Sequence, residues 1–127
     1  MRGPVQMANM KILLVENNKF LRSATKRVMV RAGYEVTSAA DGEEGLRLAR
    51  EKLPDLILLD MLLPNQAGPD VLKALKLDPA TAAIWVVVMS GLSQKNPARL
   101  EKDGAFAFLE RSELALEQGP GTLVGGA

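Results

Sequence analysis

Two unbroken apolar runs, PDLILLD at 54–60 and IWVVVMS at 84–90, restrict what this chain can fold into. Successive side chains of a strand point to opposite faces, so a strand that is apolar at every position must be covered on both sides. Strands of an open antiparallel sheet would alternate instead, apolar inward and polar outward. Continuous runs of this kind therefore predict central strands of a parallel sheet sandwiched between helices.

The segments around them supply those helices. KILLV (11–15) is another short apolar run, and NKFLRSATKRVMVRAG (18–33) follows it with helical spacing. Leu21, Ala24, Thr25, Val28 and Ala32 fall on one face of that helix, while Lys19, Arg22 and Lys26 lie away from it. Asn18 suits the N-cap and Gly33 the position just past the end. YEVTSA (34–39) alternates as a strand, and DGEEGLRLAREKL (41–53) reads as a helix capped by Asp41, with acids in its first turn and bases near its end. After 54–60 come a loop, MLLPNQAG (61–68), and a helix from Pro69 to Leu77, Pro69 suiting its first turn. Beyond 84–90 the pattern predicts a helix at 92–104, a short strand AFAFLE at 105–110 and a two-turn helix SELALEQ at 112–118. Strand and helix thus alternate five times, predicting an α/β fold: a doubly wound, five-stranded parallel (βα)5 sheet with helices on both faces.

The chain of 127 residues has room for one such domain, placed at 10–118 between a leader at 1–9 and a Gly- and Pro-rich tail at 119–127. Sixteen basic residues meet 15 acidic ones, a balance that argues against a nucleic-acid binder or a polybasic membrane module. The longest strongly apolar stretch, AAIWVVVM at 82–89, falls far short of a bilayer span, and the first residues hold no signal-peptide core, so a cytoplasmic location is expected. With no cysteine and no histidine, thiolate and imidazole chemistry are excluded and carboxylates are the main option.

In an open parallel sheet, ligands bind beyond the carboxyl ends of the strands. Here those ends carry Glu16, Asn17 and Asn18, then Asp60, then Ser90 and Gly91, then Glu110 and Arg111. Acids, a hydroxyl and a cation at one edge suggest phosphoryl transfer to a carboxylate, with a hard cation screening charge.

ILLVENN, LILLDMLLPNQAG, VVVMSG and GAFAFLERS, in this order and spacing, resemble the receiver domain of bacterial two-component response regulators across about residues 10 to 118. The resemblance implies a flavodoxin-like strand order, 2-1-3-4-5. It places Asp60 at the phospho-accepting position, Glu16 at the first of two acidic positions, and Leu62 where a backbone carbonyl helps bind magnesium. Pro64 and Gly68 match the proline and glycine of the following loop. Ser90 matches the hydroxyl that turns towards the phosphoryl group, and Phe108 the aromatic that responds. Two positions depart: Asn17 replaces the second acid, a direct magnesium ligand, and Arg111 replaces a lysine.

These departures imply an atypical receiver that binds magnesium weakly and acts by protein–protein interaction, with a histidine kinase or another signalling protein as partner. The alternative is a conventional receiver phosphorylated at Asp60 by a histidine kinase. Neither is an enzyme beyond taking phosphoryl from a donor and losing it again at Asp60. Arg111 would serve as the local cation at Asp60 or Glu16. A phospho-aspartyl hydrolase is disfavoured, since Leu62 stands where its second acid belongs. No helix-turn-helix follows the receiver, and the short 112–118 helix predicts a monomer or weak dimer.

Overall fold

The computed structural model describes residues 10–61, 63, 68–90, 104–105 and 107–110. In chain order they form β1 (Lys11–Val15), α1 (Lys19–Arg31), β2 (Glu35–Ala39), α2 (Gly42–Lys52), β3 (Leu56–Asp60), α3 (Gly68–Leu77), β4 (Trp85–Ser90) and β5 (Ala107–Glu110). The five strands are parallel and ordered β2-β1-β3-β4-β5, so the chain reverses direction across the sheet after β2. The expected fold is thereby confirmed. The helices expected at 92–104 and 112–118, the leader and the tail lie outside the described residues.

The doubly apolar strands behave as their composition requires. Leu13, Val15, Ile57, Leu59, Val86 and Val88 face one side, where they pack with Leu48 and Ala49 of α2 and Val71, Leu72 and Leu75 of α3. Their neighbours Ile12, Leu14, Leu58 and Met89 face the other side, against Met29 of α1 with Tyr34 and Val36. Each fully buried side chain of this size stabilises the fold by about 1.5–3 kcal/mol, which makes the two-sided core the main reason the sheet forms.

Local signals set the helix ends. Asn18 Oδ1 accepts the Leu21 N–H at 2.9 Å, and Gly33 takes the left-handed backbone (φ 101°) that ends α1. Asp41 Oδ1 accepts the Glu44 N–H at 2.9 Å, while the Glu44 carboxylate accepts from Ala40 N at 2.9 Å, so two groups at the start of α2 are satisfied together. Two details of α1 correct the expectation from periodicity. Ala32 is exposed, because the helix has already ended at Arg31. Arg22, expected to point away from the body, is half-buried and folds back over the chain before the helix.

The turn after α3 is held by two charged groups. Lys76 Nζ donates to the carbonyls of Ala82 (3.0 Å) and Ile84 (2.8 Å), and partial burial lowers its pKa. Asp78 accepts from Arg50 Nε of α2 at 2.7 Å and from Ala80 N at 2.9 Å. The Arg50 hydrogen bond, followed by that of Ala80, holds the Asp78 carboxyl below its ordinary 3.8. A depressed carboxyl pKa contributes stability that is complete above the unfolded value and is lost as pH falls through the folded one. Asp78→Asn should therefore melt below the native chain near neutral pH. The two melting curves should converge in acid well below pH 3.8; a gap of constant size across that range would show that the ionised carboxylate is not what Arg50 holds.

Candidate functional site

Parallel pairing brings the carboxyl ends of the strands to one edge. Val15 is level with Ala39 on one neighbour and with Leu59 on the other. One residue further along stand Glu16, Ala40 and Asp60, so the two carboxylates ride on adjacent strands, whose spacing is about 4.8 Å. Both are buried, Glu16 at 1% exposure and Asp60 at 2%. On the next strand Met89 is level with Asp60, and Ser90 lies one residue beyond. Phe108 pairs with Val88, and Glu110 with Ser90. Of the residues singled out from the sequence, Glu16, Asn17 and Asp60 are brought together at this edge, and the backbone of Ser90 reaches it. Phe108 lies deeper in the sheet, level with Val88. The side chains of Ser90 and Phe108, together with Leu62, Pro64 and Arg111, lie outside the described residues.

The edge is closed from behind by Gly68. Its N–H donates to Met61 O at 3.0 Å, and Met61 N donates to Met89 O at 3.0 Å, so the start of α3 is pinned to the chain just past Asp60. A Cβ at position 68 would lie 2.4 Å from Met61 Cα and 2.8 Å from Asp60 O. Only glycine lets α3 approach so closely.

The loop between β1 and α1 is tied on every side. Glu16 N donates to Ala39 O at 3.0 Å. The Glu16 carboxylate accepts the Asn18 N–H at 3.1 Å. Asn17 is exposed, and its amide nitrogen reaches Ala40 O at 3.4 Å, across β1 from Asp60. Arg22 Nη1 donates to two successive carbonyls, Glu16 O at 3.0 Å and Asn17 O at 3.1 Å. Sequence reading missed this arginine because helical spacing sorts residues into inward and outward faces, and Arg22 does neither. Its position one turn inside the helix, four residues after the cap, was the signal available.

The donor chemistry can accept a hard cation. Glu16 and Asp60 put two buried carboxyl groups at adjacent strand ends, the hard oxygen donors such an ion takes. Asn17 adds no charge to them. Among the described residues no group of three or more acidic side chains is placed to hold a metal ion.

Outside the edge, the exposed face of α1 carries Lys19, Lys26, Arg27 and Arg31, with no acid between Asn17 and Tyr34. Phe20 (77% exposed) stands at the end near the acidic loop and Val30 (50%) near the other end. No helix among the described residues is long and apolar enough to cross a membrane.

Five parallel strands in the order 2-1-3-4-5, with a buried acid at the end of β3 and another just past β1, define a flavodoxin-like α/β domain with paired acids at its carboxyl edge. The sequence profile of the response regulator receiver domain matches residues 12–114, and the chain belongs to that family. It is 36% identical over 123 residues to the gliding motility regulatory protein of Myxococcus xanthus, covering 92% of this chain and 16% of that protein. It is 33% identical over 101 residues to the polar-differentiation response regulator DivK of Brucella anthropi, covering 79% of this chain and 82% of that one. Against the transcriptional regulatory protein AfsQ1 of Streptomyces coelicolor it spans 29% of the relative's length. The fold matches the chemotaxis response regulator CheY4 of Vibrio cholerae with a TM-score of 0.75 at 25% identity, over 81% of this chain and 87% of that one. It matches the Mn(2+)-bound form of response regulator Rcp1 with a TM-score of 0.74 at 25% identity, over 89% and 91%. The chain is thus a receiver domain of two-component signalling. Receivers of this family interact with histidine kinases and other signalling proteins, and typically bind magnesium at the phosphorylation site.

Proposed function

We propose that this chain is an atypical receiver, impaired in magnesium-dependent phosphorylation, that acts by binding a signalling protein. The observation that carries this reading is Asn17. It directly follows the buried Glu16, contributes no charge, and turns its amide nitrogen to Ala40 O just past β2, on the far side of β1 from Asp60. Glu16, Asp60, the Asn17 amide oxygen and the Leu62 carbonyl would hold the cation. When bound, it would neutralise charge between carboxylate and phosphoryl oxygens.

Asp60 is the acceptor in this reading. One carboxylate oxygen bonds to phosphorus as the bond from phosphorus to the donor's leaving group breaks. Ser90 and Arg111 would hold phosphoryl oxygens, and Phe108 would follow the Ser90 turn. The receiver spans 10–118 and works in the cytoplasm as a monomer or weak dimer. Its basic α1 face, with Phe20 exposed beside the acidic loop, supports docking to an acidic protein surface.

One observation favours the second reading, a conventional receiver phosphorylated by a histidine kinase: Glu16 and Asp60 are both present and buried at adjacent strand ends. Intact mass after incubation with acetyl phosphate and magnesium decides between them, beside an Asp60→Asn control. The expected result is little or no adduct in either protein. A stoichiometric phosphoryl adduct on the native chain, absent from the control, would make it a working switch and end the atypical reading.

A further inference from the structure

We infer that Arg22 is a positioning residue that orders the β1–α1 loop whether or not a cation is bound beside it. Its Nη1 bridges Glu16 O and Asn17 O, the carbonyls of the acid and the amide at the proposed cation site. A guanidinium on two adjacent carbonyls makes charge-assisted hydrogen bonds, stronger than neutral ones. The rest of the loop is satisfied by protein groups: Glu16 N by Ala39 O, the Asn18 N–H by the Glu16 carboxylate, Asn18 Oδ1 by Leu21 N, and Asn18 O by Arg22 N. Arg22 therefore touches the loop twice, through its backbone to Asn18 and through its side chain to Glu16 and Asn17. The side-chain contact is the one cationic tie among these bonds, and it comes from the first turns of a helix that is itself fixed by its N-cap. The loop needs no divalent ion to hold its shape, and the weak site at Asn17 leaves little for such an ion to add.

This role rests on the weak cation site proposed above, and it is tested without phosphorylation. Amide hydrogen exchange is followed at Glu16, Asn18 and Leu21 with and without millimolar magnesium, in the native chain, Arg22→Gln and Arg22→Lys. Leu13 and Leu58, inside β1 and β3, report the stability of the sheet. In the native chain, exchange at the three loop amides should be slow and unchanged by magnesium. In Arg22→Gln it should speed up by about tenfold or more, the scale of a lost charge-assisted hydrogen bond, with Leu13 and Leu58 unchanged. Magnesium should leave it raised, and Arg22→Lys, which keeps a donor and the charge, should recover part of the protection. Native-like exchange in Arg22→Gln would overturn the inference. So would a loss of protection spread equally to Leu13 and Leu58, or one that magnesium reverses. A phosphoryl adduct on the native chain would count against the atypical reading and leave this result to be judged on exchange alone.

Discussion

Asn17→Asp is expected to raise magnesium affinity by more than tenfold and to give a phosphoryl adduct with acetyl phosphate where the native chain gives little. A unit negative charge about 4 Å from a divalent ion contributes roughly 2 kcal/mol at an effective dielectric of 80 and roughly 8 kcal/mol at 20. The amide oxygen already present recovers part of this through its dipole. Even the lower figure exceeds the 1.4 kcal/mol or so that corresponds to a factor of ten. The site lies at the border between these regimes, since Glu16 and Asp60 are buried while Asn17 is exposed. The substitution is isosteric and leaves the Asn18 cap and the Arg22 bridge to the carbonyls in place. It removes the amide donor to Ala40 O, a long contact of 3.4 Å whose loss costs little. A fold defect is therefore not expected to mask the gain. Calorimetric titration with magnesium, with Asp60→Asn in the same background as control, checks the result. Equal affinities for the native chain and Asn17→Asp would show that position 17 does not set the metal's environment.

The fold was legible because its strongest signals are one-dimensional. PDLILLD and IWVVVMS announce buried parallel strands without reference to anything else, and both lie where expected, as β3 and β4. Caps were legible for the same reason: Asn18, Gly33 and Asp41 act on atoms within a few residues of themselves. Strand order was not readable from periodicity, since nothing local distinguishes 2-1-3-4-5 from another doubly wound order; the family resemblance provided it. The site was half legible. Strand ends are sequence positions, so Glu16, Asn17 and Asp60 could be placed at one edge in advance. Arg22 could not, because its role depends on a side chain folding back across a loop, against the outward direction its helical position suggests. Gly68 shows the same limit: the resemblance marked it as a loop glycine, but the reason for it is the approach of a helix to a strand end.

That approach makes Gly68→Ala the most damaging single change expected at the site. The added methyl would lie 2.4 Å from Met61 Cα and 2.8 Å from Asp60 O, and backbone atoms cannot rotate out of the way as the nearby Met61 Cε can. Either α3 must move off the end of β3, or Met61 must shift and strain its bond to Met89 O. Moving α3 would also loosen Val71, Leu72 and Leu75, each at most 2% exposed. Overpacking of this kind costs about 1–3 kcal/mol, and losing the Gly68–Met61 hydrogen bond adds about 1 kcal/mol, so a loss near 3 kcal/mol is expected. For a domain of this size that lowers Tm by about 12 °C or more. Gly33→Ala is the matched control: its positive φ of 101° also disfavours alanine, at about 1–2 kcal/mol, but it lies at the far end of α1. Amide chemical shifts should therefore move at Asp60, Met61 and Met89 in Gly68→Ala and stay fixed there in Gly33→Ala. If Gly68→Ala melts no lower than Gly33→Ala and leaves Asp60 unshifted, α3 is not packed against the end of β3 as the structure places it.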